Sequence, residues 1–325
     1  TGTLRLEAPD GGALPPYQAG QYVNLFVNIA GVETARPYAM SSPPEDLSYY
    51  DLTVKRVENG FVSPFLLDQL KPGQIVQSSG PMGTFHHNPL FHGQDLVFFA
   101  GGSGICPAMS MLKHTLAEKP DFRFHIIYSN SYADDVIFGE ELRELAAKHE
   151  NFVLTEIVSR PAAGYEGRTG HVSLELLNEL LDQPARKMYY ICGPTPFNDH
   201  CVSLLKQLGV RGRRWLVEGN GPPKHPENLA DWPQDVSPEK TVTVSVRGGG
   251  SYQTEAGAPL HNSLERNGYN TENACRSGEC SLCRVKIRSG EVFSPPESLI
   301  RKSDRQFGWV HSCVAFPVTD VEVQI

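Results

Sequence analysis

No apolar run in this sequence approaches the ~18 residues that a membrane-spanning helix needs, so a helical membrane protein is not expected. An initiating Met is missing too, which suggests a trimmed N-terminus, and Thr1-Gly-Thr-Leu carries neither a basic segment nor an apolar signal core. An excess of basic residues is absent: 29 Lys and Arg against 37 Asp and Glu leave a net −8, which disfavours a nucleic-acid binder. Cysteine is sparse and odd in number, seven in all, which is unlike a disulfide scaffold. Four of the seven fall into one pattern. The others, Cys106, Cys192 and Cys201, read as free thiols in a reducing cytoplasm. There is no internal repeat and no low-complexity tract, and the length suits two or three domains.

What is present centres on Cys275-Arg-Ser-Gly-Glu-Cys280-Ser-Leu-Cys283, followed downstream by His311-Ser312-Cys313. The spacing C-x4-C-x2-C with a distant fourth cysteine is the plant-type arrangement for four thiolates around a 2Fe-2S cluster. Zinc usually takes paired C-x2-4-C knuckles, and disulfides want a secretory context. Gly278 is expected to let the backbone approach the cluster closely. Such a cluster works near about −400 mV and carries one electron at a time.

Upstream, the period of the pattern divides the chain. From residue 4 to about 91, short alternating segments such as Tyr22–Asn28, Tyr50–Val57 and Gln74–Gln77 predict an antiparallel β-barrel or sandwich. One short helix is expected at Ser63–Leu70, with Ser63 as its cap and Pro64 at its first position. From Asp95 to Glu218, apolar strands alternate with helical stretches: Leu96–Ala100, Arg123–Tyr128, Phe152–Val158, Lys187–Cys192 and Arg214–Val217 predict a parallel α/β sheet that binds ligands at its carboxyl edge. Five prolines between Gly219 and Lys240, at 222, 223, 226, 233 and 238, read as a semi-rigid linker. The domains expected are 1–92, 93–220, a linker 221–240 and a cluster domain 241–325. That last stretch holds nine acidic and nine basic residues, so association with a partner through it should depend only weakly on salt.

Three motifs carry chemistry. Arg36-Pro-Tyr-Ala-Met-Ser-Ser42 offers a guanidinium and the Tyr38 ring, and Gly60-Phe-Val-Ser63 opens a helix, which together suit a flavin and its pyrophosphate. Lys55 belongs to the same group of candidates. Ala100-Gly-Gly-Ser-Gly-Ile-Cys-Pro107 lies between a strand and a helix, where glycines at 101, 102 and 104 let the backbone approach a diphosphate and Pro107 is expected to start the helix whose N-terminus faces it. It is not the G-x-G-x-x-G fingerprint, so an ordinary dehydrogenase is not expected. Ile191-Cys-Gly-Pro-Thr-Pro196 repeats the strand-to-helix layout with Cys192, Gly193 and Pro194. Taken singly, the first reads more readily as an exposed strand edge and the third as a buried thiol before a turn, while the second reads less readily as a tight turn without a ligand.

In this joint order the motifs resemble the ferredoxin-NADP reductase superfamily, in the branch with a C-terminal plant-type ferredoxin domain that includes phenylacetyl-CoA oxygenase, hybrid-cluster-protein and ketosteroid hydroxylase reductases. The resemblance covers almost the whole chain. It implies a flavin β-barrel, an NAD(P)-binding α/β domain and a β-grasp 2Fe-2S domain. It implies that Arg36, Tyr38, Ala39, Met40 and Ser41 line the flavin and that Gly60, Phe61, Val62 and Ser63 take its diphosphate. It also implies that Gly102, Gly104 and Pro107 face the nicotinamide dinucleotide, that Cys192, Gly193 and Pro194 lie beside the nicotinamide, and that Glu218 stands near the hydride-transfer site. Tyr38, Cys192 and Glu218 are thus the catalytic candidates, and Cys275, Cys280, Cys283 and Cys313 the metal ligands. FAD is expected, with FMN as the alternative, since FMN members usually carry Asn at the position of Ser42. Two departures stand out: Ala39 and Cys106 occupy positions where the family usually has a hydroxyl. Ser159, Arg160, Tyr165 and Arg168 lean towards NADPH over NADH. The implied activity passes electrons from NAD(P)H through flavin and cluster to a separate oxygenase, hybrid-cluster or corrinoid protein. The alternative is a non-catalytic electron-transfer subunit with a vestigial nucleotide site.

Overall fold

The computed structural model describes every residue except Asn59, Asn220, Ala230, Pro296 and Glu297. It divides into two compact units, one of Thr1–Val23, Tyr38–Ile75 and Ser79–Asn220, the other of Asn24–Pro37, Val76–Ser78 and Gly221–Ile325. Among the described residues no helix is long and apolar enough to cross a membrane.

The N-terminal strands are β1 (Gly2–Glu7), β2 (Tyr22–Ile29), β3 (Val32–Ala39), β4 (Tyr49–Val54) and β5 (Gln77–Ser78). β1 and β4 pair antiparallel from Gly2↔Val54 to Glu7↔Tyr49, while β3, β2 and β5 form a sheet in that order. Val23, Met40, Tyr50 and Leu52 form a core cluster within the first unit. The expected helix is present but wound wide, with the Leu70 N–H reaching Phe65 O at 3.1 Å. Ser63 does not cap it. The Gly60 N–H closes a turn onto Val57 O, which brings the Val57 N–H to the Ser63 Oγ at 2.9 Å, and the first helical bond goes to Val62 O instead.

The same unit contains the parallel sheet of β6 (Asp95–Gly101), β7 (Arg123–Asn130), β8 (Phe152–Val158), β9 (Arg168–Thr169), β10 (Met188–Gly193) and β11 (Trp215–Gly219), in the order β11-β10-β6-β7-β8-β9. β6 and β10, at the centre of the sheet, are buried almost along their whole length because both faces are covered. Leu96, Phe98, Phe124 and Tyr190 pack on one face, with residues of α1 (Ile105–Glu118) and α2 (Gly139–Lys148). Val97, Phe99, Tyr189 and Ile191 pack on the other, with residues of α3 (Leu174–Leu180) and α4 (Thr195–Gln207).

In the second unit, β12 (Thr241–Val246), β13 (Ser251–Glu255), α5 (Leu260–Arg266), β14 (Arg284–Ser289), β15 (Val292–Phe293), α6 (Lys302–Gln306), β16 (Trp309–His311), β17 (Phe316–Pro317) and β18 (Val321–Gln324) follow in sequence. The sheet β13-β12-β18-β14-β16 is mixed, with β12 and β18 parallel, and Leu260 and Leu264 of α5 pack on it as in a β-grasp. The proline-rich stretch is held here rather than hanging as a linker. Trp232 is buried against Phe293 and Phe316, with Leu229 and Val236 beside it, and its Nε1–H donates to Val236 O at 2.8 Å.

Candidate functional site

The carboxyl edge of the parallel sheet joins two strand-to-helix turns. β6 and β10 are neighbours in register, Cys192 opposite Ala100, so the turns after them meet. A Cβ on Gly104 would stand 1.9 Å from Cys192 O, which leaves glycine alone able to occupy that position. On the far side of β10, Cys192 pairs with Glu218, and its Sγ lies 3.9 Å from Glu218 Oε2. The Asn198 side chain of α4 donates to Glu218 O at 3.1 Å and fixes the strand end. Cys106 is buried beside this edge with its Sγ 3.7 Å from Thr53 O. Burial, then the charge of Glu218, pushes its thiol up to about 12, so it stays neutral. Gly102, Gly104, Cys106, Cys192, Gly193, Pro194 and Glu218 therefore share one edge, as their order in sequence suggested. Pro107 is the third residue of α1 rather than its first.

β4 of the N-terminal region lines the same edge. Besides Thr53 against Cys106, Lys55 pairs with Asp135 and lies 3.9 Å from where a Cβ on Gly102 would be. Lys55 is thus engaged with the loop after β7. Of the flavin candidates, Met40 is fully buried and its N–H donates to Gln21 O at 3.1 Å, so its side chain serves the core. The Ser41 Oγ donates to Asp51 O at 3.1 Å. Tyr38 and Ala39 are half-buried, and Phe61 is exposed beside the buried Val62 and Ser63. At the far edge Arg160 contacts Tyr132 at 3.4 Å and the Ser159 N–H donates to Asn130 O. Arg168 is occupied by Glu179 at 2.5 Å.

In the second unit the four candidate ligands stand as two pairs. Cys283 and Cys313 have their sulfurs 3.2 Å apart. Cys275 receives the N–H groups of Ser277 and Glu279 at 3.4 Å and of Cys280 at 3.3 Å. A hydrogen bond from the Cys280 thiol, with help from those N–H groups and against burial, holds the Cys275 thiol well below its ordinary range. Among the described residues no group of three or more His, Cys, Asp or Glu converges on one ion. Two thiol pairs with backbone donors aimed at sulfur suit two irons bridged by sulfide, so the residues present fit the cluster. Gly278 sits at φ +82°, and a Cβ there would meet Val314 Cγ2 at 2.7 Å. Ser312 donates both its N–H and its O–H to Cys283 O, at 3.0 and 2.7 Å.

One feature of this unit has no sequence signal. Glu265, at the end of α5 and almost fully buried, accepts from Arg276 of the cysteine loop and from Thr34 Oγ1 of β3 at 3.0 Å. Its second oxygen lies 3.8 Å from Arg36 Nη1, and His261 Nε2 stands at ion-pair distance, 3.5 Å. Burial alone would raise this carboxyl. The neighbouring His261 and Arg276 overcome burial and hold it at about 2.

Known proteins share this layout. Residues 2–87 match the oxidoreductase FAD-binding domain, 98–203 the oxidoreductase NAD-binding domain and 246–318 the 2Fe-2S iron-sulfur cluster binding domain. A flavin module, a nucleotide sheet and a cluster module in one chain define an NAD(P)H-dependent flavoprotein oxidoreductase that uses FAD and a 2Fe-2S cluster. The chain belongs to the ferredoxin-NADP reductase superfamily, in the branch that ends in a plant-type ferredoxin domain. It is 30% identical to the ferredoxin reductase component of 3-ketosteroid-9-alpha-monooxygenase from Mycolicibacterium smegmatis, over 94% of this chain and 86% of that protein. It is 29% identical to the glycine betaine monooxygenase reductase subunit of Pseudomonas aeruginosa, over 94% and 87%. In fold it matches the structure of phthalate dioxygenase reductase with a TM-score of 0.71 at 20% identity, over 99% of this chain and 92% of that one. The non-catalytic alternative finds no support in these likenesses.

Proposed function

We propose that this chain is the reductase component of a multicomponent oxygenase, delivering electrons from NAD(P)H to a separate oxygenase protein. The observation that carries this reading is the near full-length likeness to two reductase components named for their monooxygenases. A hybrid-cluster protein and a corrinoid protein are the competing acceptors. When bound, NAD(P)H supplies an electron pair, FAD the means to accept a pair and release it singly, and the cluster a one-electron carrier.

The chain's own residues divide the work. Gly102, Gly104, Pro107, Cys192, Gly193 and Pro194 receive the nucleotide at the sheet edge, and Ser159 and Arg160 face its far end. Cys192 and Glu218 hold the nicotinamide side, with Cys106 keeping a neutral thiol behind it. Arg36, Tyr38, Ala39, Met40 and Ser41, with Lys55 and Gly60 to Ser63, form the flavin side. Cys275, Cys280, Cys283 and Cys313 ligate the cluster. The working domains are 1–92, 93–220 and 241–325, and the protein acts in the cytoplasm, where thiols stay reduced.

The test is reconstitution with NADH or NADPH, offering oxygenase, hybrid-cluster and corrinoid proteins from the native cell as acceptors in turn. Substrate-dependent oxygen uptake with the oxygenase alone is the expected result. Faster reduction of either other acceptor would overturn the assignment.

A further inference from the structure

The Glu265 carboxylate is shared by segments far apart in sequence. Thr34 and Arg36 lie on β3, four and two residues before Tyr38, while Arg276 follows the ligand Cys275 directly. Arg276 is almost fully buried and takes a left-handed backbone, φ +54°. Each of its nitrogens has a partner. Its Nε donates to Asn273 Oδ1 at 3.1 Å, Nη1 to Asn262 Oδ1 at 3.2 Å, and Nη2 to both Glu265 and Thr34 Oγ1, the latter at 3.3 Å. Arg36 Nη1 in turn donates to Thr34 Oγ1 at 2.6 Å. Two guanidiniums, one hydroxyl and one carboxylate thus close a buried polar ring within the second unit.

A buried carboxylate is costly when any partner is missing, because the stranded charge keeps its desolvation penalty. The ring is shared between the two segments: displacing β3 takes Thr34 and Arg36 away from Glu265, and displacing the cysteine loop takes Arg276 away from both Glu265 and Thr34. We propose that Glu265 is a positioning residue that clasps the flavin-side strand to the cluster loop, so that electron delivery to the cluster depends on it although it touches neither reacting group. The kinetic part rests on the flavin-to-cluster path of the function proposed above; the mechanical coupling does not.

Glu265→Gln removes the charge and keeps the size, and Thr34→Val replaces the hydroxyl with a methyl group of similar size. Hydrogen exchange of the holoprotein reads the coupling directly. In each variant, amides of residues 32–37 and of 272–280 should both exchange at least about tenfold faster, and Thr34→Ser should restore both. NAD(P)H-driven ferricyanide reduction should stay within about twofold, while stopped-flow reduction of the cluster slows by about tenfold or more. If Glu265→Gln fails to hold its cluster, Thr34→Val with its serine rescue decides alone. Faster exchange confined to one segment, or cluster reduction within twofold of wild type in both variants, overturns the clasp. Failure of the oxygenase reading would leave the exchange coupling untouched.

Discussion

The sheet edge and the cysteine loop are held in place by opposite means. At the sheet edge, register and apolar burial fix the backbone, and the site is shaped by what is missing: no Cβ at 104, where one would stand 1.9 Å from Cys192 O. In the loop before β14 there is little regular structure, and the loop is tied by side-chain hydrogen bonds: Arg276 donates to Asn262 Oδ1, Ser281 Oγ bonds the His311 ring, and Ser312 donates to Cys283 O. A backbone-built site should tolerate polar changes and fail on added bulk. A side-chain-built site should do the reverse, because each lost partner strands a buried polar group.

The largest effect expected is at the loop. Cys280→Ser removes one ligand and should abolish the cluster, lowering reduction of the native acceptor by at least about a hundredfold. Flavin content and NAD(P)H-dependent ferricyanide reduction should persist, since the parallel sheet has a core of its own. Iron analysis, flavin absorbance and both rates check this. Near wild-type acceptor reduction in an iron-free variant would show that the acceptor draws from the flavin.

Next comes the sheet edge. Gly104→Ala must displace the Cys192 carbonyl, and a displacement of about 1 Å costs on the order of a hundredfold in rate. Ferricyanide reduction with NAD(P)H should fall by that factor while dithionite still reduces the cluster normally. A Gly104→Ala protein with full activity would break the contrast drawn above.

Trp232→Ala tests whether packing also matters in the second unit. Removing an indole buried between Phe293 and Phe316 should cost about 3 to 5 kcal/mol. Loss of the visible cluster spectrum in urea should move to a lower midpoint, with unfolding of the parallel sheet unchanged. This residue lies in a stretch whose prolines and missing periodicity read as a linker, and the error has a physical source. One aromatic can pin a segment that has no amphipathic repeat, and periodicity sees only repeats.

The same logic explains what else was legible. Strands β6 and β10 were readable because burial on both faces writes an apolar run into the chain. The cysteine spacing was readable because the ligand loop is local. Thr34 and Glu265 are 231 positions apart, and nothing at either position departs from an ordinary strand threonine or helix glutamate. The contacts of Lys55 with Asp135 and of Cys106 with Thr53 are long-range in the same way. Ser63 failed as a cap because a turn ending at Gly60 delivered a competing donor, Val57 N–H. Local signals give local structure; pairings closed by the fold leave no mark on either partner.

The smallest effect concerns nucleotide choice at the far end of the sheet edge. Of the residues that lean towards NADPH, Arg168 is tied to Glu179, which leaves Arg160 as the exposed cation, with only a 3.4 Å contact to Tyr132. A single solvent-exposed guanidinium facing a phosphate gives a charge-assisted bond of about 1.5 to 3 kcal/mol at most, reduced by screening. If Arg160 reads a 2'-phosphate, Arg160→Ala should lower kcat/KM for NADPH by about tenfold and leave that for NADH nearly constant. The change should shrink as ionic strength rises, because the group is exposed. An unchanged ratio of the two efficiencies would remove Arg160 from nucleotide selection, and a parallel fall in both would assign it to the shared adenosine end instead.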